Sequence, residues 1–215
     1  RRSRHTRYQS LSRGLGDVYK RQAWYIENNV PLVGRKEHLL GREMSWLRVE
    51  PFYEYESPRE GGTSGPPGRP VSFIPMLCQH CETAPCVDVC PTGASFTRKD
   101  GIALVDKHIC IGCRYCMMAC PYKARSFVHE KVTDQTLSAP RGKGTVESCT
   151  FCVHRVDKDQ IPACVEACSK SEHNAMIFGD LNDPNSEISK ELEKHGGKQI
   201  RADLQLNTAV RYQGI

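Results

Sequence analysis

Twelve cysteines stand in three groups of four: Cys78, Cys81, Cys86 and Cys90; Cys110, Cys113, Cys116 and Cys120; Cys149, Cys152, Cys164 and Cys168. Thiolates are soft donors that suit iron–sulfur clusters and zinc. The middle group runs C-x2-C-x2-C-x3-C and is followed by Pro121. In that spacing three thiolates hold one 4Fe–4S cube and the fourth reaches a second cube, which is the chemistry of single-electron transfer. The first group runs C-x2-C-x4-C-x3-C and is followed by Pro91. The short C-x2-C loop lets two thiolates of one turn grip adjacent irons, while the proline stops a helix and turns the chain away. The third group is looser, C-x2-C-x11-C-x3-C, with a charged loop from Val153 to Ala163 and Ser169 after its last cysteine.

Other uses of cysteine fit less well. Structural zinc usually takes two C-x2-C pairs with a longer spacer, whereas the middle group packs four cysteines into eleven residues. Disulfide scaffolds are generally short secreted domains. A c-type haem site needs C-x-x-C-H, and no C-x-x-C here is followed by histidine. A zinc-stabilised interaction module remains the non-redox alternative. His80, His108, His129 and His154 could donate N–H groups to cluster sulfurs or lie on solvated faces. Lys123 and Arg125, beside the second expected cube, could raise its potential by favouring the reduced state.

The elements that position these ligands are short. Between the first two groups, alternating residues flank Asp100-Gly101, which predicts a tight hairpin. Gly112 lets backbone approach a cube closely, with N–H groups aimed at its sulfurs. Residues 42–50 predict a strand. Ser57 to Pro70 is a Gly/Pro-rich linker, and Thr133 to Gly144 a polar excursion. Ala175 to Phe178 predicts a short strand, and Asp183-Pro184 the start of a helix through about Lys194 that Gly196-Gly197 ends. The remaining tail is expected to be extended and to wrap or dock. No catalytic constellation is evident.

The first 22 residues have a different origin. Ser12 to Gln22 matches the translation of a transposase-type sequencing adapter, so residues 1–22 are expected to be foreign. They carry seven of the 30 basic residues and one of the 25 acidic ones, and the rest has a formal charge of −1 instead of +5. A nucleic-acid or anionic-membrane reading of the basicity falls with them. No run of 18 apolar residues is present, so no membrane span is expected. With few aromatics, metal ligation must supply part of the stability.

Residues 73–127 resemble the multi-cluster ferredoxin-like subunits that serve membrane-bound oxidoreductases of the polysulfide, dimethyl sulfoxide and tetrathionate reductase type and alternative complex III. Segments further on bring the likeness closest to DsrO-type iron–sulfur subunits of the Dsr membrane complex of sulfur-metabolising prokaryotes: Pro140 to Gly144, Glu147 to Arg155, Pro162 to Cys168, Ile177 to Ile188 and Arg201 to Ile215. The resemblance implies an α+β fold of ferredoxin-like 4Fe–4S domains with pseudo-twofold repeats, short helices and hairpins, and long loops. It implies a truncated cluster domain over 23–72 that 132–180 completes, a two-cluster domain over 73–131, and a docking tail over 181–215.

The resemblance also implies crosswise ligation. Cys78, Cys81 and Cys86 would take Cys120, and Cys110, Cys113 and Cys116 would take Cys90. Cys149, Cys152 and Cys164 would need a fourth ligand from an upstream group, to whose cube Cys168 would belong. Trp24 stands where that group's last cysteine is expected. Either the upstream motif is cut short, or Trp24 replaces a cysteine and the site holds a 3Fe–4S or altered cluster, or Trp24 is an ordinary packing residue. Implied partners are a quinone-reactive integral membrane subunit and a further redox subunit such as a cytochrome c, or the catalytic subunit of a molybdopterin-type reductase. The implied location is the periplasmic face of the cytoplasmic membrane, reached through a twin-arginine signal.

Overall fold

A computed structural model describes residues 5–9, 23, 25–30, 46–53, 70–133, 135–170 and 175–213. Trp24, the Ser57–Arg69 linker and residues 42–45 of the expected strand lie outside them. The elements are β1 (His5–Gln9), β2 (Leu47–Tyr53), β3 (Pro70–Leu77), α1 (Pro85–Asp88), β4 (Ser95–Thr97), β5 (Ala103–Val105), α2 (Tyr115–Ala119), β6 (Arg125–Phe127), β7 (Val146–Ser148), α3 (Val153–Val156), α4 (Ala163–Ser169), β8 (Met176–Asp180), α5 (Glu187–His195) and β9 (Val210–Tyr212).

Three antiparallel ribbons carry the cysteine loops: β2 with β3, β4 with β5, and β6 with β7. The hairpin predicted around Asp100-Gly101 is β4–β5, with Phe96 opposite Leu104 and Gly101 at φ +88°. Positive φ is what that turn demands, and glycine meets it without a Cβ penalty. The fourth sheet has the order β8-β1-β9. Its middle strand falls within the stretch expected to be foreign, and its backbone pairs antiparallel with β8 and parallel with β9.

Both of the first two cysteine groups follow one local plan. A single helical turn, α1 or α2, leads into a Cys-Pro pair, and five residues after that cysteine a strand begins, at Ser95 after Cys90 and at Arg125 after Cys120. The core gathers Trp46, Leu47, Ile74, Leu77, Ile102, Phe151, Met176 and Tyr212 around the buried cysteines.

Several expectations shift. The polar excursion holds no helix or strand, yet it is anchored. Arg141 and Glu147 are buried and paired, with Arg141 Nε donating to Glu147 Oε2 at 2.6 Å and Trp46 Nε1 to Oε1 at 2.8 Å. Arg141 also donates to the carbonyl of Asn29 at 2.9 Å. The last helix starts later than Asp183-Pro184 predicts, because Ser186 is the cap and its Oγ accepts from Ser189 N at 3.3 Å. Gly196, at φ +70°, ends it as expected. The tail adds β9 and a turn of 3-10 helix at Ala202–Leu204. It also bonds to the first cysteine loop: Glu82 N to Asn207 O at 3.2 Å, Thr83 N to Leu206 O at 3.3 Å, and Ala209 N to Gln79 O at 2.9 Å.

Candidate iron–sulfur centres

The C-x2-C loop that opens each of the three groups has a common backbone feature. In these three loops the residue just before the second cysteine has positive φ, His80 at 45°, Gly112 at 69° and Phe151 at 52°, whereas in the overlapping Cys113–Cys116 step the left-handed residue is Arg114, at 67°. A left-handed residue lets two thiols three positions apart leave one tight turn. Glycine adopts it freely, whereas for a bulky residue it costs on the order of 1–3 kcal/mol and marks a functional constraint. At Gly112 a side chain is also excluded by space, because an added Cβ would overlap Gly144 O and come within 2.9 Å of Phe127 Cε2. The excursion that ends at Gly144 therefore packs directly on the second cysteine loop.

The first set is brought together from distant parts of the chain. Cys78 directly follows β3, Cys81 comes three residues later, Cys86 lies on α1 and Cys120 caps the end of α2. Burial pushes the Cys78 thiol up to about 12, against the pull of Arg125, with Cys86 and Cys120 adding to the rise. Cys81 is also pushed up to about 12, by burial first and then by Cys78, Cys86 and Cys120. Thiols raised as far as those of Cys78 and Cys81 do not ionise alone, and a cationic iron core held there would remove that obstacle, since metal-bound thiols are deprotonated.

Cys90, Cys110, Cys113 and Cys116 line one small pocket together with Ser95, Gly112 and Val146. The backbone N–H groups of Ser95 and Val146 point at Cys90 Sγ (3.4 Å) and Cys110 Sγ (3.5 Å). Ala124 N does the same for Cys120 Sγ at 3.5 Å. Partial burial pushes Cys90 up, but the Ser95 N–H and the Thr92 hydroxyl outweigh it and bring the thiol down to about 7. Among the described residues no three His, Cys, Asp or Glu side chains close on the position of a single ion. The thiols ring a space instead, and the inward N–H donors match what cluster sulfurs accept.

The third set differs. Cys149, Cys152, Cys164 and Cys168 are all buried, at 1 % exposure or less. Cys164 and Cys168 lie one turn apart on α4, and Cys152 caps α3. Asn28 Nδ2 donates to Cys152 Sγ at 3.4 Å and Ala175 N to Cys168 Sγ at 3.1 Å. The loop expected between Cys152 and Cys164 is partly helical, as α3, and is tied down by ion pairs. Arg155 meets Glu27 at 3.2 Å as well as Glu166, His154 Nε2 meets Glu27 at 2.8 Å, and Asp157 meets Arg98 of the β4–β5 ribbon at 2.7 Å. His80 and Phe151, the left-handed residues of the first and third loops, stack with ring centroids 3.7 Å apart.

The twelve cysteines are all free of disulfides. Of the histidines, His80 is buried and its Nδ1 accepts from Ala103 N at 3.0 Å, which puts the ring proton on Nε2. Lys123 is exposed, whereas Arg125 is buried and acts on thiols of both of the first two sets, not the second alone. Ser95 and Asn28 are sulfur neighbours that spacing did not reveal. The repeated five-residue step from Cys90 to Ser95 and from Cys120 to Arg125 was the available signal.

Comparison with known proteins agrees with this geometry. The chain is 51% identical over 151 residues to the Hdr-like menaquinol oxidoreductase iron-sulfur subunit 1 of Archaeoglobus fulgidus, covering 65% of this chain and 56% of that protein. It is 41% identical over 179 residues to a putative dimethyl sulfoxide reductase iron-sulfur subunit of Halobacterium salinarum, covering 81% and 65%. It is 46% identical over 145 residues to a subunit of the tetrathionate reductase of Salmonella typhimurium, covering 66% and 52%. The chain thus spans between half and two thirds of the length of these relatives. Residues 70–181, more than half of the sequence, match the 4Fe-4S dicluster domain, and the chain belongs to that family of iron–sulfur proteins.

Proposed function

We propose that this chain is an electron-transfer subunit, relaying single electrons through 4Fe–4S clusters between a quinone-reactive membrane partner and another redox partner. The observation that carries it is the cavity ringed by Cys90, Cys110, Cys113 and Cys116, whose walls point backbone N–H groups at the sulfurs. The proposal includes crosswise ligation: Cys78, Cys81 and Cys86 with Cys120, and Cys110, Cys113 and Cys116 with Cys90, related by a pseudo-twofold repeat. Bound clusters supply one-electron redox chemistry over roughly −700 to +450 mV according to type and surroundings.

The protein's own work is to hold and to tune. Thiolates fix the irons, N–H groups of Ser95, Ala124 and Val146 offset negative charge on sulfur, and buried side chains such as Ile102 and Val146 keep water out. Cys149, Cys152, Cys164 and Cys168 belong, in this reading, to further sites that draw on ligands upstream of Ala23. Residues 23–72 and 132–180 then form one cluster domain, 73–131 another, and 181–215 a wrapping tail. The menaquinol oxidoreductase named among the relatives supports a seat beside a quinone-reactive partner, and the periplasmic face of the membrane is proposed with it. Among the described residues no helix is long and apolar enough to cross a membrane. The relatives named for dimethyl sulfoxide and tetrathionate reductases favour, as a second reading, a relay that feeds a molybdopterin-type catalytic subunit.

Anaerobic reconstitution tests the first claim. Two complete sets require about eight irons and eight sulfides per chain, with a paramagnetic signal on reduction. Zinc without acid-labile sulfide would end the redox reading. Co-purification from the native host separates the two partner readings, a quinone-site membrane protein with a cytochrome c favouring the first and a large molybdopterin subunit the second.

A further inference from the structure

Arg125 opens β6 in the layer between the first two cysteine sets. Its residue is 5 % exposed, and Nη1 donates to Ser95 Oγ at 2.6 Å. Ser95 in turn directs its backbone N–H at Cys90 Sγ and lines the cavity of the second set. On the other side, the residue before Arg125 directs its N–H at Cys120 Sγ of the first set. Nε and Nη2 of Arg125 are sealed from solvent and meet no nitrogen or oxygen acceptor among the described residues, while the guanidinium lies within reach of the Cys86 and Cys116 sulfurs. Its charge is felt by Cys86 and Cys78 of one set and by Cys116 of the other.

A buried guanidinium whose remaining N–H groups meet only sulfur is costly unless that sulfur is anionic. Among the described residues no carboxylate pairs with it, and the opposing charges that act on it most strongly are cysteines of two different sets. Guanidinium presents five donors in a rigid fork, so one side chain can address two acceptors at once.

We propose that Arg125 straddles the first two clusters, donating Nε–H and Nη2–H to their sulfurs and setting both potentials together through one fixed positive charge. This rests on the iron–sulfur reading above. A single cation between two cubes stabilises the added electron on either one, so each becomes easier to reduce. Ser95 holds the fork in place and is a positioning residue.

The test is potentiometric EPR on the full chain after anaerobic reconstitution, with iron and sulfide counted in each preparation. Arg125→Gln is expected to leave the cluster count unchanged and to lower both midpoints, each reduction equilibrium falling tenfold or more, which is 59 mV per tenfold for one electron. Arg125→Lys keeps the charge on a single amine that can favour only one cube, so one midpoint stays near wild type and the other falls. Arg98→Gln, whose guanidinium is already paired with Asp157 and Asp100, is the control and moves neither. The proposal is overturned if Arg125→Gln shifts one midpoint or none while both clusters remain. Where Arg125→Gln loses a cluster, Arg125→Lys decides, and two unmoved midpoints overturn it. A wild-type chain that takes up no sulfide removes the iron–sulfur reading itself, which is a separate outcome.

Discussion

The second and third cysteine sets solve the same ligand problem in opposite ways. Around Cys90, Cys110, Cys113 and Cys116 three of the four sulfurs lie near the surface, Cys113 exposed, Cys90 and Cys110 half-buried and Cys116 buried, and backbone N–H donors face the sulfurs of Cys90 and Cys110. Around Cys149–Cys168 every sulfur is packed into the main apolar core against Phe151, Val165 and Met176. The first arrangement would leave a bound metal centre close to solvent. The second makes the thiols part of the core, so the fold and the ligand set stand or fall together.

Paired serine substitutions offer the sharpest break of that contrast. Cys113→Ser is expected to abolish the second cluster while the apolar core survives, read as loss of about half of the reconstituted iron with an unchanged far-UV spectrum. Cys164→Ser places a hydroxyl in a fully buried site and is expected to cost about 1–3 kcal/mol on top of any ligand lost. Equal effects on folding would erase the distinction.

Glu147→Ala comes next in size. It leaves Arg141 charged and buried beside the third set, and a loss of about 3–5 kcal/mol in denaturant unfolding is expected. Gly112→Ala on the exposed side should cost about 1–2 kcal/mol from its left-handed backbone alone, more with the overlap on Gly144, and should empty the second site before the first. Arg98→Ala severs the exposed pair to Asp157 that joins the two regions. Its cost should stay below about 1 kcal/mol and shrink with salt, and a larger one would mean the two regions fold as one unit.

How far these features were legible depends on the kind of residue that encodes them. The β4–β5 hairpin was plain because Asp100-Gly101 names its own turn. The close packing of the second loop was plain because Gly112 signals a close backbone approach, while its positive φ emerges only in the structure. His80 and Phe151 take the same backbone state without a side chain that signals it, so the kinship of the third loop with the other two emerges only in three dimensions. Trp46 joins the Arg141–Glu147 pair from 101 positions away, and the pair itself, six positions apart, spans an irregular stretch with no period to say that both side chains turn inward. The cap at Ser186 was missed because the neighbouring Asp183-Pro184 gives a stronger start signal than the serine that wins.

The bonds between the tail and the first cysteine loop also set an order of events. Gln79 Nε2 and Tyr212 Oη are joined at 2.9 Å across 133 positions of sequence, and Tyr212 Oη reaches on to Pro75 O. A ribosome releases the loop long before it releases the strand that closes it. Closure of the Cys78–Cys81 loop by the tail is thus a late event, and a nascent chain halted before residue 206 would present that loop with its flank unlatched.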